Sequence, residues 1–418
     1  MIVVGGTYGE IVVVPDSHEL RGSGMRAAAA LSGRDEPPVL HTVLDTDEEL
    51  LDEAAVVAWS LKVELAADNP RRSEPVAFRY ITPISTPAVN GPNSRLLEDQ
   101  EIVAGDRTAL VFGLIEAPLS GVHVDAETVI FDPQRPRDAE PVNLKSFADA
   151  RVIMVANSTE IRKIGERGDV LEASSRVLEL NANVSGVVTK RGAAGCIVSS
   201  RDGQGAIRHD FVGAHPTARV WPIGSGDTFS AGLAHAIDKG ADLVEAARTG
   251  SAAAAHWCST KSPAVPIDVL SGHYGSLPRP VDPTSPRIYL AAPFFSVSER
   301  WLVESVRDEL YSLGADVWSP VHKVGHGGLE VAQKDLDGLL ECDAVIALLD
   351  HGDPGTVFEV GWAVRHGIPV VGFGTSVNSD GIKMMAGTRV ELHRDLSTAC
   401  YRAVWAGMGL RPVPGWIT

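Results

Sequence analysis

Two short stretches place a carboxylate where a helix is expected to begin. The first is GSGDTFSAG, in which Gly224, Ser225 and Gly226 precede Asp227 and an alanine-rich run. Glycines let the backbone approach a ligand, and the N–H groups at a helix start attract anions such as phosphate. An aspartate there could take the proton from a hydroxyl that attacks a phosphoryl group. The same residues also suit an ordinary capped helix, so both interpretations stay open.

The second stretch is DPGTVFEVGWA, in which Asp353 lies six residues before Glu359. A glutamate near the positive end of a helix is held ionised. An ionised carboxylate that faces a pocket is the kind of nucleophile that captures the anomeric carbon of a sugar. The alternative is structural: Glu359 would complement the helix dipole, and Asp353 would form a turn with Pro354.

The elements that must position these acids alternate along the chain from residue 1 to about residue 270. The runs expected to be strands are MIVVGG, AAVVAWSL, ALVFGLI, TVIFDP, RVIMVAN and VSGVVTKRG, with alanine-rich helical stretches among them. This alternation predicts a mostly parallel sheet with crossover helices. Residues 74–92 are expected to form a small antiparallel piece at the sheet edge or over a site.

A segment with four prolines, residues 271–287, separates this region from the rest of the chain. Its proline content and its lack of apolar periodicity predict a linker. The strand and helix pattern then restarts, which predicts a second, smaller α/β domain of flavodoxin or Rossmann type. We therefore expect a first domain over 1–272, a linker over 273–286 and a second domain over 287–418.

The overall composition excludes several classes of protein. The net charge of −17 over 418 residues argues against a general nucleic-acid or membrane-surface binder. The four cysteines form no CxxC pair, which predicts buried free thiols in a reducing compartment. The N-terminal run lacks a basic segment and is broken by Gly and Glu, so it predicts strands rather than a signal peptide. We expect a cytoplasmic protein.

Three further motifs precede GSGDTF in the first domain: DPQR at 132–135, NSTE at 157–160 and TKRGAAG at 189–195. Together the four resemble the ordered motifs of the ribokinase-like (PfkB) family of sugar and nucleoside kinases. The resemblance implies ATP and Mg²⁺ as cofactors, an anion hole at 224–226 and Asp227 as the catalytic base. It also implies nucleotide contacts at Asn157, Glu160, Thr189, Gly192 and Gly195. For Glu160 it implies an indirect contact with Mg²⁺.

The N-terminal part departs from that family. Glu10 lies in the region where these kinases carry a sugar-binding aspartate. GSGMRAAAALS, residues 22–32, resembles their Gly-Gly-x-x-x-Asn motif without the asparagine. The segment between them is short, which predicts a reduced lid over the acceptor. The resemblance thus implies retained phosphate chemistry with altered acceptor recognition, or a domain that binds nucleotide without turning it over.

Three runs of the second domain are IYLAAPFF at 288–295, QKDLDGLLECDAVIALLD at 333–350 and DPGTVFEVGWA at 353–363. They resemble the nucleoside 2-deoxyribosyltransferase family. The resemblance implies Glu359 as nucleophile, Tyr289 as the residue that orients it, and Asp335 and Asp353 as residues near the leaving base. An acid would protonate the base as it leaves, and water or a second base would then accept the sugar.

The segment SDGIKMMAG differs from that family, which places an asparagine before its Met-rich turn. Here Lys383 stands there and Asn378 lies upstream. A lysine suits a phosphate, so a nucleotide substrate stays open beside a nucleoside. Related nucleotide hydrolases carry serine where Asp353 stands, which favours the nucleoside. His322 and His326 have no third ligand nearby and are expected at a surface or site rim rather than on zinc.

The sequence as a whole predicts a two-domain enzyme, an ATP-dependent sugar or nucleoside kinase joined to a nucleoside 2-deoxyribosyltransferase or N-glycosidase. One alternative is a nucleoside or nucleotide hydrolase regulated by a degenerate, nucleotide-binding kinase-like domain. Another is a non-catalytic interaction protein. The expected partner is a small-molecule nucleoside or sugar, without nucleic acid or membrane, and the second resemblance implies a homo-oligomer.

Overall fold

A computed structural model describes residues 1–97, 100–134, 144–325, 329–376 and 379–416. The chain forms two compact units. Unit 1 comprises Met1–Lys190, Gly195–Val212 and Pro222–Leu277, and unit 2 comprises Arg191–Ala194, Gly213–Trp221 and Pro278–Thr418. The main division, between residues 277 and 278, falls within the segment that the sequence indicated as a linker.

The strands of unit 1 form a mostly parallel sheet and two smaller ones. In chain order they are β1 (Ile2–Val4), β2 (Gly9–Val12), β3 (Ser17–Leu20), β4 (Val39–His41), β5 (Glu64–Leu65), β6 (Ala77–Tyr80), β7 (Ala88–Asn90), β8 (Ile102–Gly105), β9 (Thr108–Phe112), β10 (Val122–Asp125), β11 (Thr128–Asp132), β12 (Arg151–Asn157), β13 (Val184–Lys190), β14 (Cys196–Arg201) and β15 (Ile207–Val212). The main sheet has the order β15-β14-β13-β12-β11-β9-β1-β4-β5 among the described residues. Within the described ranges, the β13–β14 and β14–β15 pairings of this sheet are antiparallel and the others are parallel.

Helices cover this sheet on both faces. They are α1 (Gly22–Ala30), α2 (Glu48–Ser60), α3 (Ser158–Ile164), α4 (Val170–Leu180), α5 (Ser225–Asp238), α6 (Leu243–Thr260) and α7 (Ile267–Leu270). Along β1, Val3 joins the apolar cluster that contains α1, α5 and α6, whereas Ile2 and Val4 join the cluster that contains α3 and α4. Because successive side chains of a strand point to opposite faces, a sheet buried on both faces needs such continuous apolar runs.

A separate four-stranded sheet, in the order β3-β2-β6-β7, lies in the region where the sequence predicted a reduced lid. Strands β6 and β7 pair antiparallel within residues 74–92, as expected, whereas β2 and β6 run parallel. Strand β2 carries Glu10 and β6 carries Tyr80. The two remaining strands, β8 and β10, form a small parallel pair.

The run AAVVAWSL, predicted as a strand, is instead part of α2. Asp47 caps this helix by accepting hydrogen bonds from the backbone N–H groups of Glu49 at 3.0 Å and Leu50 at 3.2 Å. Ala54 and Ala58, four residues apart, are its buried residues. The prediction was wrong because the buried positions repeat with the period of a helix, and the large apolar Trp59 is 82% exposed.

Unit 2 contains a sheet whose strand pairs are all parallel among the described residues, in the order β17-β16-β18-β19-β20-β21. Its elements are β16 (Arg287–Ala291), α8 (Val297–Ser312), β17 (Asp316–Trp318), α9 (Pro320–Lys323), α10 (Leu329–Leu340), β18 (Ala344–Leu348), α11 (Pro354–His366), β19 (Val370–Phe373), α12 (Ser379–Ala386), β20 (Val390–His393), α13 (Leu396–Gly407) and β21 (Gly415–Trp416). The α/β class and the smaller second parallel sheet predicted from the sequence are confirmed.

All four cysteines carry free thiols. Cys196, Cys342 and Cys400 are buried and Cys258 is partly buried, close to the sequence prediction. Burial raises the pKa of the Cys196 thiol to about 12, so this thiol is not a nucleophile near neutral pH. In the described part of the chain, every helix is too short or too polar to cross a lipid bilayer.

Candidate active sites

The glycine turn of unit 1 leads directly into α5. Gly224 precedes the helix with φ of 82°, a left-handed conformation that favours glycine. A Cβ at this position would also collide with the side chain of Arg26. A Cβ at Gly226 would lie 3.3 Å from Lys190 Nζ, so that ammonium group lies beside the turn. Backbone N–H groups at the start of a 14-residue helix and a nearby cation form a setting suited to phosphate.

Asp227 lies in the first turn of α5 with its side chain 13% exposed. Both carboxylate oxygens are engaged. Gln134 Nε2 donates to Oδ1, and Arg26 Nε lies 3.3 Å from Oδ2. Burial raises the pKa of the Asp227 carboxyl, the nearby Arg26 opposes that rise, and Asp132 adds to it. Asp227, the predicted base, is therefore a partly buried carboxylate held by two side chains to which the sequence gave no role.

Glu10 and Arg26 form the neighbouring part of this site. Glu10 accepts a hydrogen bond from the backbone N–H of Gly22 at 3.1 Å and forms a short ion pair with Arg26 Nη2. Arg26 lies in α1, within the stretch that lacks the family asparagine. The sequence signal for Arg26 is a single cation in an alanine-rich helix. Sequence reasoning missed its role because only the fold places Glu10 and Asp227 beside it.

A second charge cluster surrounds Lys190. Its ammonium group lies 2.5 Å from Asp132 Oδ2, which also accepts a hydrogen bond from Ser230 Oγ at 2.9 Å. Asp132 is fully buried, and its Oδ1 has no hydrogen-bond partner among the described residues. Lys190 belongs to the motif TKRGAAG, in which the sequence alone gives this lysine no distinct role.

Asn157 and Glu160 form a capping box at the start of α3. The Asn157 side chain accepts from the backbone N–H of Thr159 and of Glu160, each at 2.9 Å. Glu160 Oε2 in turn accepts from the Asn157 backbone N–H at 2.8 Å. Burial and the neighbouring Asp132 raise the pKa of Glu160, and Lys190 opposes them. These two residues therefore have a structural role at the helix start, whatever ligand they also contact.

The remaining turn residues occupy different environments. Thr189 is fully buried, and its hydroxyl lies 3.2 Å from Ser174 Oγ, so this residue offers no accessible atom to a nucleotide in this structure. Gly192 groups with unit 2, where a Cβ would meet the side chain of Leu313. Gly195 has φ of 79° and belongs to unit 1.

The described residues of unit 1 fit a nucleotide better than a directly bound metal ion. Gly224–Gly226 and Lys190 would hold phosphate, and ATP bound there would supply the phosphoryl group. Within the described ranges, no group of three or more His, Cys, Asp or Glu side chains could hold a metal. A Mg²⁺ ion would therefore have to be held largely by nucleotide phosphates and water, as the indirect role predicted for Glu160 requires.

In unit 2, Tyr289 and Glu359 form the centre of the second site. The phenol of Tyr289 donates a hydrogen bond of 2.5 Å to Glu359 Oε1. The ring of Tyr289 is fully buried and stacks on Trp318, with 5.1 Å between centroids and 11° between planes. Gly338 accommodates Trp318, because a Cβ there would collide with the indole. These contacts fix the phenol against the carboxylate.

The electrostatic setting of Glu359 differs from that of Asp227. Burial raises the pKa of Glu359 to about 7, the hydrogen bond from Tyr289 opposes the rise, and the charges of Asp335 and Asp353 add to it. Among the described residues, Glu359 forms no salt bridge. The carboxylate is therefore poised to exchange a proton near neutral pH.

Asp335 and Asp353 both lie close enough to Glu359 to raise its pKa. Asp353 caps α11, since its Oδ2 accepts from the Thr356 backbone N–H at 2.7 Å and from the Thr356 hydroxyl at 2.9 Å. Asp335 Oδ1 is buried without a hydrogen-bond partner in the described part of the chain, and burial raises the pKa of this carboxyl. The three acids and the phenol predicted as catalytic residues of this domain thus lie in one neighbourhood around Glu359.

The other residues singled out in the sequence are either described by their own local contacts or fall outside the described ranges. Lys383 is exposed on α12. His322 Nε2 lies 2.7 Å from Glu304 Oε1, and its Nδ1 lies 3.0 Å from Ser319 Oγ. His326, Asn378 and Arg135 fall outside the described residues.

Comparison with known proteins agrees with the two resemblances. Residues 111–269 match the model of the pfkB family of carbohydrate kinases, and residues 288–393 match that of the nucleoside 2-deoxyribosyltransferases. Both predicted family matches are confirmed for these segments. No curated protein sequence matches the chain.

Several solved structures show a remote similarity that covers about two thirds of the chain. A fructokinase double mutant from Vibrio cholerae O395, with fructose, ADP and potassium bound, is 14% identical with a TM-score of 0.47, over 66% of this chain and 94% of its own. A PfkB protein from Polaromonas sp. JS666 is 18% identical with a TM-score of 0.44, over 65% and 98%. Arabidopsis thaliana ribokinase, complexed with ribose and ATP, is 18% identical with a TM-score of 0.44, over 64% and 97%.

Proposed function

We propose that the chain is a two-site enzyme of nucleoside and deoxyribose metabolism. Unit 2 would cleave or exchange the N-glycosidic bond of a 2-deoxyribonucleoside through Glu359. Unit 1 would transfer a phosphoryl group from ATP, with Mg²⁺, to a hydroxyl of a sugar or nucleoside. The observation that carries the proposal is the buried pair of Tyr289 and Glu359, in which a phenol orients a carboxylate that has no cationic partner among the described residues.

The geometry of Glu359 supports nucleophilic attack. Tyr289 donates to Oε1, which leaves Oε2 to bond the anomeric carbon while the bond from that carbon to the base nitrogen breaks. The electron pair of the broken bond stays on the base, and a proton neutralises the negative charge that the base acquires. Water or a second base then attacks the same carbon and releases Glu359. The 2-deoxyribosyl group is thereby released to water or transferred to the second base.

Asp335 suits the role of proton donor to the leaving base. Burial raises the pKa of its carboxyl, and its Oδ1 has no partner in the described part of the chain. Asp353, by contrast, uses Oδ2 to cap α11. Two acids beside one nucleophile can divide the roles of proton donor and base contact. Asp353 would then contact the base with its second oxygen.

In unit 1, Asp227 would take the proton of the acceptor hydroxyl. Its place in the first turn of α5, beside Gly224–Gly226, is consistent with this role. Lys190 beside the glycine turn would stabilise negative charge on the phosphate groups. For Asp227 to act, the acceptor hydroxyl must replace one of its present contacts, with Gln134 or with Arg26.

The test for unit 2 is incubation of 2-deoxyribonucleosides with and without a free acceptor base, followed by chromatography. Exchange of the base that depends on the acceptor supports a transferase, and release of base into water supports a hydrolase. The same nucleosides carrying a 5′-phosphate distinguish a nucleotide substrate. Absence of both exchange and release across purine and pyrimidine deoxynucleosides would contradict the proposal for this unit.

A second candidate function concerns unit 1 alone. The ion pair between Arg26 and Asp227 favours a domain that binds nucleotide and regulates unit 2 without transferring phosphate. ATP consumption with a panel of nucleosides, deoxyribose and ribose separates the two possibilities. Acceptor-dependent ADP formation supports the kinase. Nucleotide binding without any acceptor-dependent turnover, together with an ATP effect on base release, supports the regulatory domain.

A further inference from the structure

Trp257, a buried residue of α6, lies against the glycine turn of unit 1. Its indole N–H donates to the backbone carbonyl of Ile223 at 2.8 Å, and the residue is 2% exposed. Ile223 directly precedes Gly224, the left-handed residue that leads into α5. A buried indole N–H needs an acceptor in any core. Here the acceptor is the carbonyl of the peptide with which the turn begins.

That peptide also carries the N–H group of Gly224. A peptide unit is planar and almost always trans, so its C=O and its N–H point in opposite directions. Because the Ile223 oxygen is held by Trp257, the direction of the Gly224 N–H is fixed on the other side of the same peptide. The Ser225 N–H is held as well, since it donates to the Pro222 carbonyl at 3.0 Å. The hydrogen bond from Trp257 therefore sets the orientation in which the turn enters α5.

The same tryptophan supports the cation beside the turn. The guanidinium carbon of Arg26 lies 4.8 Å from the centroid of the Trp257 ring, a distance typical of a cation–π contact. Arg26 Nε in turn lies 3.3 Å from Asp227 Oδ2. One side chain thus contacts both the turn that would hold phosphate and the cation beside the candidate base.

The helix that carries Trp257 is packed closely on α5. A Cβ at Gly250 of α6 would lie only 2.8 Å from the carbonyl oxygen of Phe229 in α5, so glycine lets the two helices approach. The next residue of α6, Cys258, forms a side-chain hydrogen bond with Ser225. Two consecutive residues of one helix therefore hold the turn, and helices position a site more precisely than loops do.

We infer that Trp257 is a positioning residue of the phosphate site in unit 1. Its N–H orients the first peptide of the glycine turn, and through that peptide the backbone donors that would hold the phosphate chain of a nucleotide. Trp257 acts through the turn and not by contact with the nucleotide. This role rests on the proposed function of unit 1, because both the kinase and the regulatory alternative require a nucleotide at this turn.

Trp257→Phe removes the indole N–H and keeps an aromatic ring for Arg26. The affinity of the full chain for a non-hydrolysable ATP analogue should fall by about fivefold, as expected for loss of one hydrogen bond. The KM for ATP should rise by about the same factor, while kcat changes by less than about twofold, because the turn holds phosphate before and during the reaction alike. Calorimetric titration measures the affinity, and steady-state ADP formation measures KM and kcat.

Two control variants separate positioning from general destabilisation. Trp59→Phe, at an 82% exposed position of α2, should change none of the three quantities. Leu270→Ala, in α7, opens a cavity in the apolar cluster that also surrounds α5 and α6, so it should lower stability without weakening nucleotide binding. Nucleotide affinity that falls equally in Leu270→Ala, or that is unchanged in folded Trp257→Phe, would overturn the inference. A loss of kcat at unchanged KM would overturn it as well.

A second replacement keeps the test decisive if Trp257→Phe does not fold. Site-specific replacement of Trp257 by 3-benzothienylalanine keeps the size and shape of the ring and exchanges only the N–H for sulfur, so the same loss of nucleotide affinity is expected. Weakened nucleotide binding without acceptor-dependent ADP formation would contradict the kinase but support the positioning role. ADP formation at unchanged ATP affinity in both variants would support the kinase and overturn that role. Absence of nucleotide binding in the wild type would contradict both.

Discussion

Asp227 of unit 1 and Glu359 of unit 2 are both partly buried carboxylates in the early turns of a helix. The first has both oxygens engaged, one by Gln134 and the other by the cation Arg26. The second accepts a hydrogen bond from the neutral phenol of Tyr289 and has no cationic partner in the described part of the chain. The two acids thus share a local setting but differ in the groups that face them.

The difference shows how remote residues assign chemistry to a common local motif. Burial raises the pKa of both carboxyls. Arg26 and Lys190 oppose the rise for Asp227, whereas Asp335 and Asp353 add to it for Glu359. Nearby cations keep Asp227 in the ionised form from which a base must start, although they lower its affinity for the proton. A carboxylate without a cation keeps the electron density that a nucleophile donates to carbon.

The largest effect is expected for Glu359→Ala. Without the nucleophile, release or exchange of base from a 2-deoxyribonucleoside should fall by about 10,000-fold, since removal of a covalent nucleophile has effects of this order. Chromatography of the released base measures it. Glu341→Ala, which removes a glutamate whose side chain is 67% exposed in the same unit, should retain wild-type rates. Comparable loss in both variants, or undiminished cleavage in Glu359→Ala, would contradict the assignment.

Asp227→Asn should have the next largest effect, confined to phosphoryl transfer. An amide cannot take the hydroxyl proton, so acceptor-dependent ADP formation should fall by about 1,000-fold while nucleotide affinity changes little. A coupled ADP assay and a nucleotide titration measure the two quantities. Asp52→Asn, at an exposed position of α2, is the matched control. Wild-type turnover in Asp227→Asn would remove the proposed contrast between the two acids.

Tyr289→Phe should reduce base release by about tenfold, as expected for loss of one hydrogen bond to a charged group. The hydrogen bond from Tyr289 lowers the pKa of Glu359, whose value is about 7. The attacking carboxylate must be ionised, so activity of the wild type should rise with pH through about 7. In the variant this limb should move to higher pH. Tyr311→Phe, at a half-exposed site, should shift neither rate nor profile.

The smallest effect concerns stability. The pKa of Glu359 in the folded protein is about 7, above its ordinary value of 4.5. The folded state therefore binds more protons than the unfolded state between these values, and the free energy of unfolding falls as pH rises through that window. Glu359→Gln removes this titration, so it should be more stable than wild type by about 1–2 kcal/mol at pH near 8 and not at pH near 5. Urea unfolding of unit 2 at both pH values measures the difference, and equal differences at the two would contradict the burial argument.

Most of the fold could be predicted because strands and helices here follow apolar periodicity. The runs that became β1, β9, β11, β12 and β13 are continuous apolar segments of a sheet buried on both faces. The run at 54–61 was wrongly predicted as a strand for a related reason. Its valines suggest a strand, yet Ala54 and Ala58 bury one face of a helix that Asp47 caps. A short apolar run does not by itself distinguish the period of a helix from that of a strand.

What the sequence by itself determined are the features that depend on residues a few positions apart. These include the glycine turn into α5, the Asp353 cap of α11, and the capping box of Asn157 and Glu160. Backbone conformation and helix caps are satisfied locally, so their signals are local.

The tertiary structure alone decided which charges face the two acids. Arg26 from α1 reaches Asp227, Lys190 from β13 lies beside the turn of α5, and Tyr289 from β16 reaches Glu359 in α11. Each pair joins segments far apart in the chain, and strand order rather than sequence spacing brings them together. The interaction of two charges depends on their separation and burial in space, and neither quantity can be read from their positions along the chain.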